Sequence, residues 1–113
     1  MSNENKSLGN KIADTFDDAG TAIKNTAKDV KTGAENSERT ANNEANKAAN
    51  NAKAESGNIF DKAGAKIKNA IGDAKTSSAN AANNAKNETE KTANKLDNEA
   101  KKAERDDRDR NDY

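Results

Sequence analysis

The 113-residue sequence contains no cysteine, no histidine, no proline and no tryptophan. Without cysteine there is neither a disulfide framework nor a thiolate ligand set. Without histidine, the commonest metal ligand and the side chain that titrates nearest neutral pH are missing, so no metal site or thiol redox chemistry is expected. Two Phe and one Tyr are too few flat faces to stack bases, and 20 basic against 20 acidic residues leave no net charge to neutralise phosphates. No nucleic-acid partner is expected. No apolar run approaches the length of a membrane span or signal-peptide core and segment 1–7 is polar, so a cytoplasmic address is expected. With no nucleophile–base pairing, no glycine-rich phosphate loop and no core to hold a catalytic constellation, neither enzymatic activity nor a cofactor is expected.

The missing proline points towards helix, because an interior proline removes a backbone donor and clashes with the preceding turn. What is present is a strict period. Leu8, Ala19, Val30, Ala41, Ala52, Ala63, Ala74, Ala85 and Leu96 occupy every eleventh position. A column four residues on carries Ile12, Ile23 and Ile67, and one eight residues on carries Phe16, Phe60 and Ile71, with Ile59 beside them at the edge. Eleven residues fill three helical turns, so these columns merge into one lengthwise stripe on an α-helix. The stripe is thin. Of its residues only Leu8, Ile12, Phe16, Ile23, Val30, Ile59, Phe60, Ile67, Ile71 and Leu96 are large, and most of the others are drawn from the 22 alanines. Ten large side chains cannot offset the entropy of ordering so long a chain. The expected fold class is therefore intrinsically disordered in dilute water and conditionally all-α, as extended amphipathic helices with an 11-residue period and no globular core.

The chain is also a duplication. Residues 16–55 align without a gap onto 60–99, with 18 of 40 positions identical, among them Phe16/Phe60, Ile23/Ile67, Asp29/Asp73 and Lys47/Lys91. Each half opens apolar-richer and continues rich in Ala, Asn, Lys and Glu. Ser56-Gly57-Asn58 lies at the junction, with a capping residue after a helix-ending glycine. The expected organisation is a polar segment 1–7, a first helical half 8–55, a hinge 56–58, a second helical half 59–103 and a charged disordered tail 104–113. Nineteen asparagines, each a poorer helix former than alanine, keep the helices marginal in water. Glu35 with Arg39 and Asp97 with Lys101 are favourably spaced ion pairs on the polar face.

The tracts TAIKNTAKDVK (21–31) and KAGAKIKNAIGDAK (62–75), with ANKLDNEAKKAE near the end, resemble the eleven-residue repeats of group 3 late embryogenesis abundant (LEA) proteins, of hydrophilin type. The resemblance covers about residues 8–103 and rests on period and composition. It implies a protectant against desiccation, freezing or osmotic stress that is unfolded when hydrated and helical as water is lost. Its partners would be non-specific client proteins or membrane surfaces under water stress, with weak self-association. The ten large stripe residues are the candidate client or lipid contacts. Two other readings share the pattern. One is an amphipathic helix on a lipid surface, of synuclein, perilipin or apolipoprotein type, inserting Ile12, Phe16, Ile23, Val30, Ile59, Phe60, Ile67 and Ile71. The other is an alanine-rich coiled coil or helical hairpin folded back about 56–58.

Overall fold

A computed structural model describes residues 7–111, with side chains as far as 108. Two α-helices, α1 (Leu8–Glu55) and α2 (Ile59–Asn111), account for every described residue except Ser7 and 56–58. Of the polar amino-terminal segment, residues 1–6 lie outside the described residues.

The ends of the helices are set by local chemistry. Ser7 caps α1: its hydroxyl accepts from the Asn10 amide at 3.1 Å. At the junction the Gly57 amide donates to the Ala54 carbonyl at 3.1 Å, closing the last turn of α1. Asn58 then starts α2, its side-chain oxygen accepting from the amides of Phe60 (2.9 Å) and Asp61 (3.1 Å) while Asp61 Oδ2 accepts from the Asn58 amide (3.1 Å). This is a reciprocal capping box with aspartate in the role usually taken by glutamate. Glycine is required at 57, because a Cβ there would lie 2.6 Å from that of Asp61.

The chain forms two units. Unit 2, Val30–Lys86, is a helical hairpin closed by the turn at 56–58. Unit 1 combines residues 7–29 with residues 87–111, and pairs the beginning of α1 with the end of α2. In both units the helices run antiparallel, since partners step down α2 as they step up α1: Asn36 meets Asn84, Asn43 meets Asp73 and Asn50 meets Asn69 in unit 2. Likewise Asp14 meets Arg105, Asp18 meets Asn98 and Asp29 meets Asn87 in unit 1.

The buried apolar complement is two alanines, Ala54 and Ala65, and none of the described side chains is fully buried. The helices extend further than the composition suggests. Of the segment 104–113, expected as a charged tail, residues 104–111 continue α2 as helix and 112–113 lie outside the described residues. The cause is that the apolar stripe ends there but a second, polar period does not: Arg105 stays in phase with the contacts of unit 1 and reaches Asp14 and Asp17 on α1.

Candidate interaction surface

The half-buried side chains through which the helices pair recur along α1 at steps of four, three and four residues, in three columns of period eleven. An exposed column one place after the third adds Asp18, Asp29, Thr40 and Asn51 on α1 and Asp73 and Asn84 on α2. The three half-buried columns are Asn10, Thr21, Thr32, Asn43 and Ala54; then Asp14, Asn25, Asn36 and Lys47; then Asp17, Lys28, Arg39 and Asn50. On α2 the same columns carry Ala65, Thr76, Asn87 and Asn98; Asn69, Asn80, Lys91 and Lys102; and Gly72, Asn83, Asn94 and Arg105. All of these residues are buried or half-buried. They sit two, six and nine places after the apolar columns, which puts the seam roughly 160° round the helix from the stripe. Each helix therefore turns its polar face to its partner and its apolar face away.

All ten large apolar residues are accordingly exposed, from 49% at Ile12 to 81% at Phe60. Leu8, Ile12, Phe16, Ile23 and Leu96 form the outward stripe of unit 1, and Val30, Ile59, Phe60, Ile67 and Ile71 that of unit 2. Phe60 and Ile71 also line clefts against α1, Phe60 beside Asn50 and Ala54 and Ile71 beside Asn43 and Lys47. Lys31, Lys53, Lys75, Lys86 and Arg108, with Asp97, lie one place after the stripe's first column, on one flank, whereas Glu44, Glu55, Glu88 and Glu99, with Lys11 and Lys66, lie three places after it, on the other; all are exposed.

Seam chemistry differs along the chain. In unit 1, Asp18 accepts from Asn98 (2.8 Å) and Lys102 (3.1 Å), Asp29 accepts from Asn87 (2.8 Å) and Lys91 (2.9 Å), and Lys28 donates to Glu90 (3.0 Å). Arg105 forks between Asp14 at 2.7 Å and Asp17. In unit 2 amides dominate: Asn36 donates to Asn84 (2.8 Å), Asn50 to Asn69 (3.0 Å), Asn69 to Asn51 (3.0 Å), Asn83 to Asn36 (3.0 Å) and Asn80 to Thr40 (3.2 Å). Arg39, expected to pair with Glu35, instead donates to Asn80 (2.9 Å) and Asn36 (2.7 Å). Lys101 does reach Asp97, at 3.5 Å.

These contacts move the ionisations in the direction that binding the charged form requires. The Asp29 carboxyl is held below the ordinary aspartate range by hydrogen bonds from Lys91 and then Asn87, that of Asp73 by Asn43 and then Lys47, and that of Asp18 by Asn98 and then Lys102. Lys91 is raised by Asp29 and Glu88, Lys47 by Asp73 and Glu44, and Arg105 by Asp17 and Asp14. Satisfaction is incomplete. The amide oxygens of Asn87 and Asn98 are buried with no hydrogen-bond partner, although both amide nitrogens donate to aspartates. Such orphaned acceptors subtract from a seam whose individual bonds each contribute little net stability in water.

The outward stripe was legible as a period of apolar residues; the seam was not. Its signal is a period of polar residues, above all of asparagine: 11 of the 19 asparagines occupy the three seam columns. Comparison with protein-family models, curated proteins and solved structures finds no match for this chain.

Proposed function

We propose that the chain is a non-catalytic stress protectant, disordered in dilute water, that gains helix as water is lost and then shields other macromolecules through its outward apolar stripe. The observation that carries this reading is the polar character of the seam. A fold held by Asn–Asn, Asp–Asn and Asp–Lys contacts, with two buried alanines for a core, is held by groups for which water competes. Water weakens each such bond, and its removal leaves the internal partner as the main way to satisfy every backbone and side-chain polar group. Drying therefore drives both helix formation and helix pairing. The ten large apolar side chains stay outward when this happens, available to the apolar patches that partly unfolded clients expose.

Exposure of the same ten side chains favours a second reading, adsorption to a lipid surface. Its weakness lies in the flanks. Anionic lipid favours basic residues on both sides of the buried stripe, whereas here Glu44, Glu55, Glu88 and Glu99 outnumber Lys11 and Lys66 on one side.

Far-UV circular dichroism separates the two. The protectant reading expects coil in buffer, helix in concentrated glycerol or on drying, and no change on adding phosphatidylserine vesicles in buffer. Helix induced by the vesicles in ordinary buffer would favour lipid. Ile23→Asp combined with Ile67→Asp should abolish vesicle binding if lipid is the target, and leave protection of a dried test enzyme mostly intact if shielding is generic.

A further inference from the structure

The seam contacts repeat themselves at the spacing of the duplication. Asp29 accepts from Asn87 (2.8 Å) and Lys91 (2.9 Å) in unit 1. Forty-four residues away, Asp73 accepts from Asn43 (2.7 Å) and Lys47 (3.2 Å) in unit 2. Asn94 donates to Asn25 at 2.8 Å, and its counterpart Asn50 donates to Asn69, the counterpart of Asn25, at 3.0 Å. Segments 25–29 and 69–73 thus present the same Asn and Asp to the same Asn, Lys and Asn of their partners 87–94 and 43–50. A seam that recognises the same motif twice within one chain has no means of distinguishing its own second helix from that of another copy.

The junction fits such an exchange. The seam columns pass through it without insertion or deletion, Ala54 leading to Ala65 and Lys47 to Asn58 to Asn69, so a helix continued through 56–58 would keep the whole seam on one face. No proline prevents this. The closed turn, by contrast, tolerates no side chain at 57, where a Cβ would meet the Asp61 side chain, and it depends on the Asn58 cap. A straight helix needs neither.

We infer that a second copy of this chain is the seam's other partner. Two molecules, each straightened through 56–58, pair antiparallel so that the first helix of one lies on the second helix of the other. The Asp29–Lys91 and Asp73–Lys47 contacts then run between chains. Exchange of this kind reuses every seam contact and asks only that the hinge open. It goes beyond the protectant reading and does not depend on the client.

The native sequence has no cysteine, so single cysteines report cleanly. Asn25→Cys and Asn94→Cys chains would be mixed in concentrated glycerol and in buffer, treated with a short bismaleimide, and run beside each variant alone. Exchange expects a cross-linked heterodimer in the mixture and none from either variant by itself, because antiparallel pairing keeps like positions far apart. Adding Gly57→Ala to both chains should raise the heterodimer yield several-fold, since alanine fits a helix but not the turn. Helix by circular dichroism without heterodimer, or a yield unmoved by Gly57→Ala, overturns the exchange and leaves the protectant reading standing. Helix and heterodimer already complete in dilute buffer sustains the exchange and sinks the water-loss reading. A chain that stays coil in glycerol overturns both.

Discussion

Units 1 and 2 are built on the same eleven-residue seam and fill it with different chemistry. Unit 2 joins segments close in sequence, its cross-helix contacts separated by 18 to 48 residues, and uses mainly neutral amides. Unit 1 joins segments 58 to 95 residues apart and uses charge: Asp14, Asp17, Asp18 and Asp29 on α1 against Lys91, Lys102 and Arg105 on α2. Closing a longer loop costs more entropy. The stronger charge-assisted bonds therefore stand where closure is most expensive, and the weaker amide pairs where the turn at 56–58 already holds the helices together. The geometric period decides which positions pair, and the residues placed on it decide how strongly.

The largest separation of the two units should come from Arg105→Ala, which removes the fork to the half-buried carboxylates of Asp14 and Asp17. Hydrogen exchange in concentrated glycerol should show amide protection falling several-fold in 8–29 and 87–108, with 30–86 unchanged. Equal loss in both units would mean that they do not behave as separate units. Next in size, molar salt should weaken unit 1 more than unit 2, because exposed ion pairs are screened and neutral amide pairs are not. Across the helices, unit 2 has Lys47–Asp73 where unit 1 has Lys28–Glu90, Lys91–Asp29, Lys102–Asp18 and the Arg105 fork. The same exchange experiment with and without salt checks it.

Acid should act in the same order. Asp18, Asp29 and Asp73 are held below the ordinary value of 3.8, so their contribution is present above that pH and is lost as the pH falls through it and below, where folding requires giving up bound protons. Unit 1 carries two of these aspartates and unit 2 one, so acid titration should open unit 1 first. At the alkaline end the raised Lys47, Lys91 and Lys102 hold their contacts below the ordinary lysine value of 10.5 and lose them only as the pH rises past it.

The smallest change is expected from Asn98→Ala. It forfeits one bond to Asp18 but also removes a buried oxygen that has no partner, and the equivalent position of the other repeat is already alanine, Ala54, equally buried. Exchange protection of unit 1 should move by less than a factor of two or so. A loss as large as that of Arg105→Ala would mean that the orphaned oxygen is satisfied in solution.

What the sequence disclosed follows from how each signal is written in it. The helices, their common stripe and the junction at 56–58 are spelled out by apolar periodicity, by the missing proline and by a glycine beside a capping residue. The seam is spelled in asparagine, threonine and lysine, which carry no hydropathy contrast against a polar background. Asn25, Asn36, Asn69 and Asn80, in one seam column, read as residues that weaken a helix; in the structure they join one helix to another. The same blind spot explains residues 104–111: losing the apolar stripe suggested a tail, while Lys102 and Arg105 kept the polar phase.

Hydroxyl-radical footprinting of the helical state, read by mass spectrometry at Phe16, Phe60, Ile23 and Ile67, tests most directly whether polar faces meet and apolar faces look outward. These four side chains should be oxidised at close to the rates of the unfolded chain in the same solvent, even where backbone amides are protected. Several-fold protection of all four in a monomeric sample would place the apolar stripe inside the helix pair and contradict that expectation.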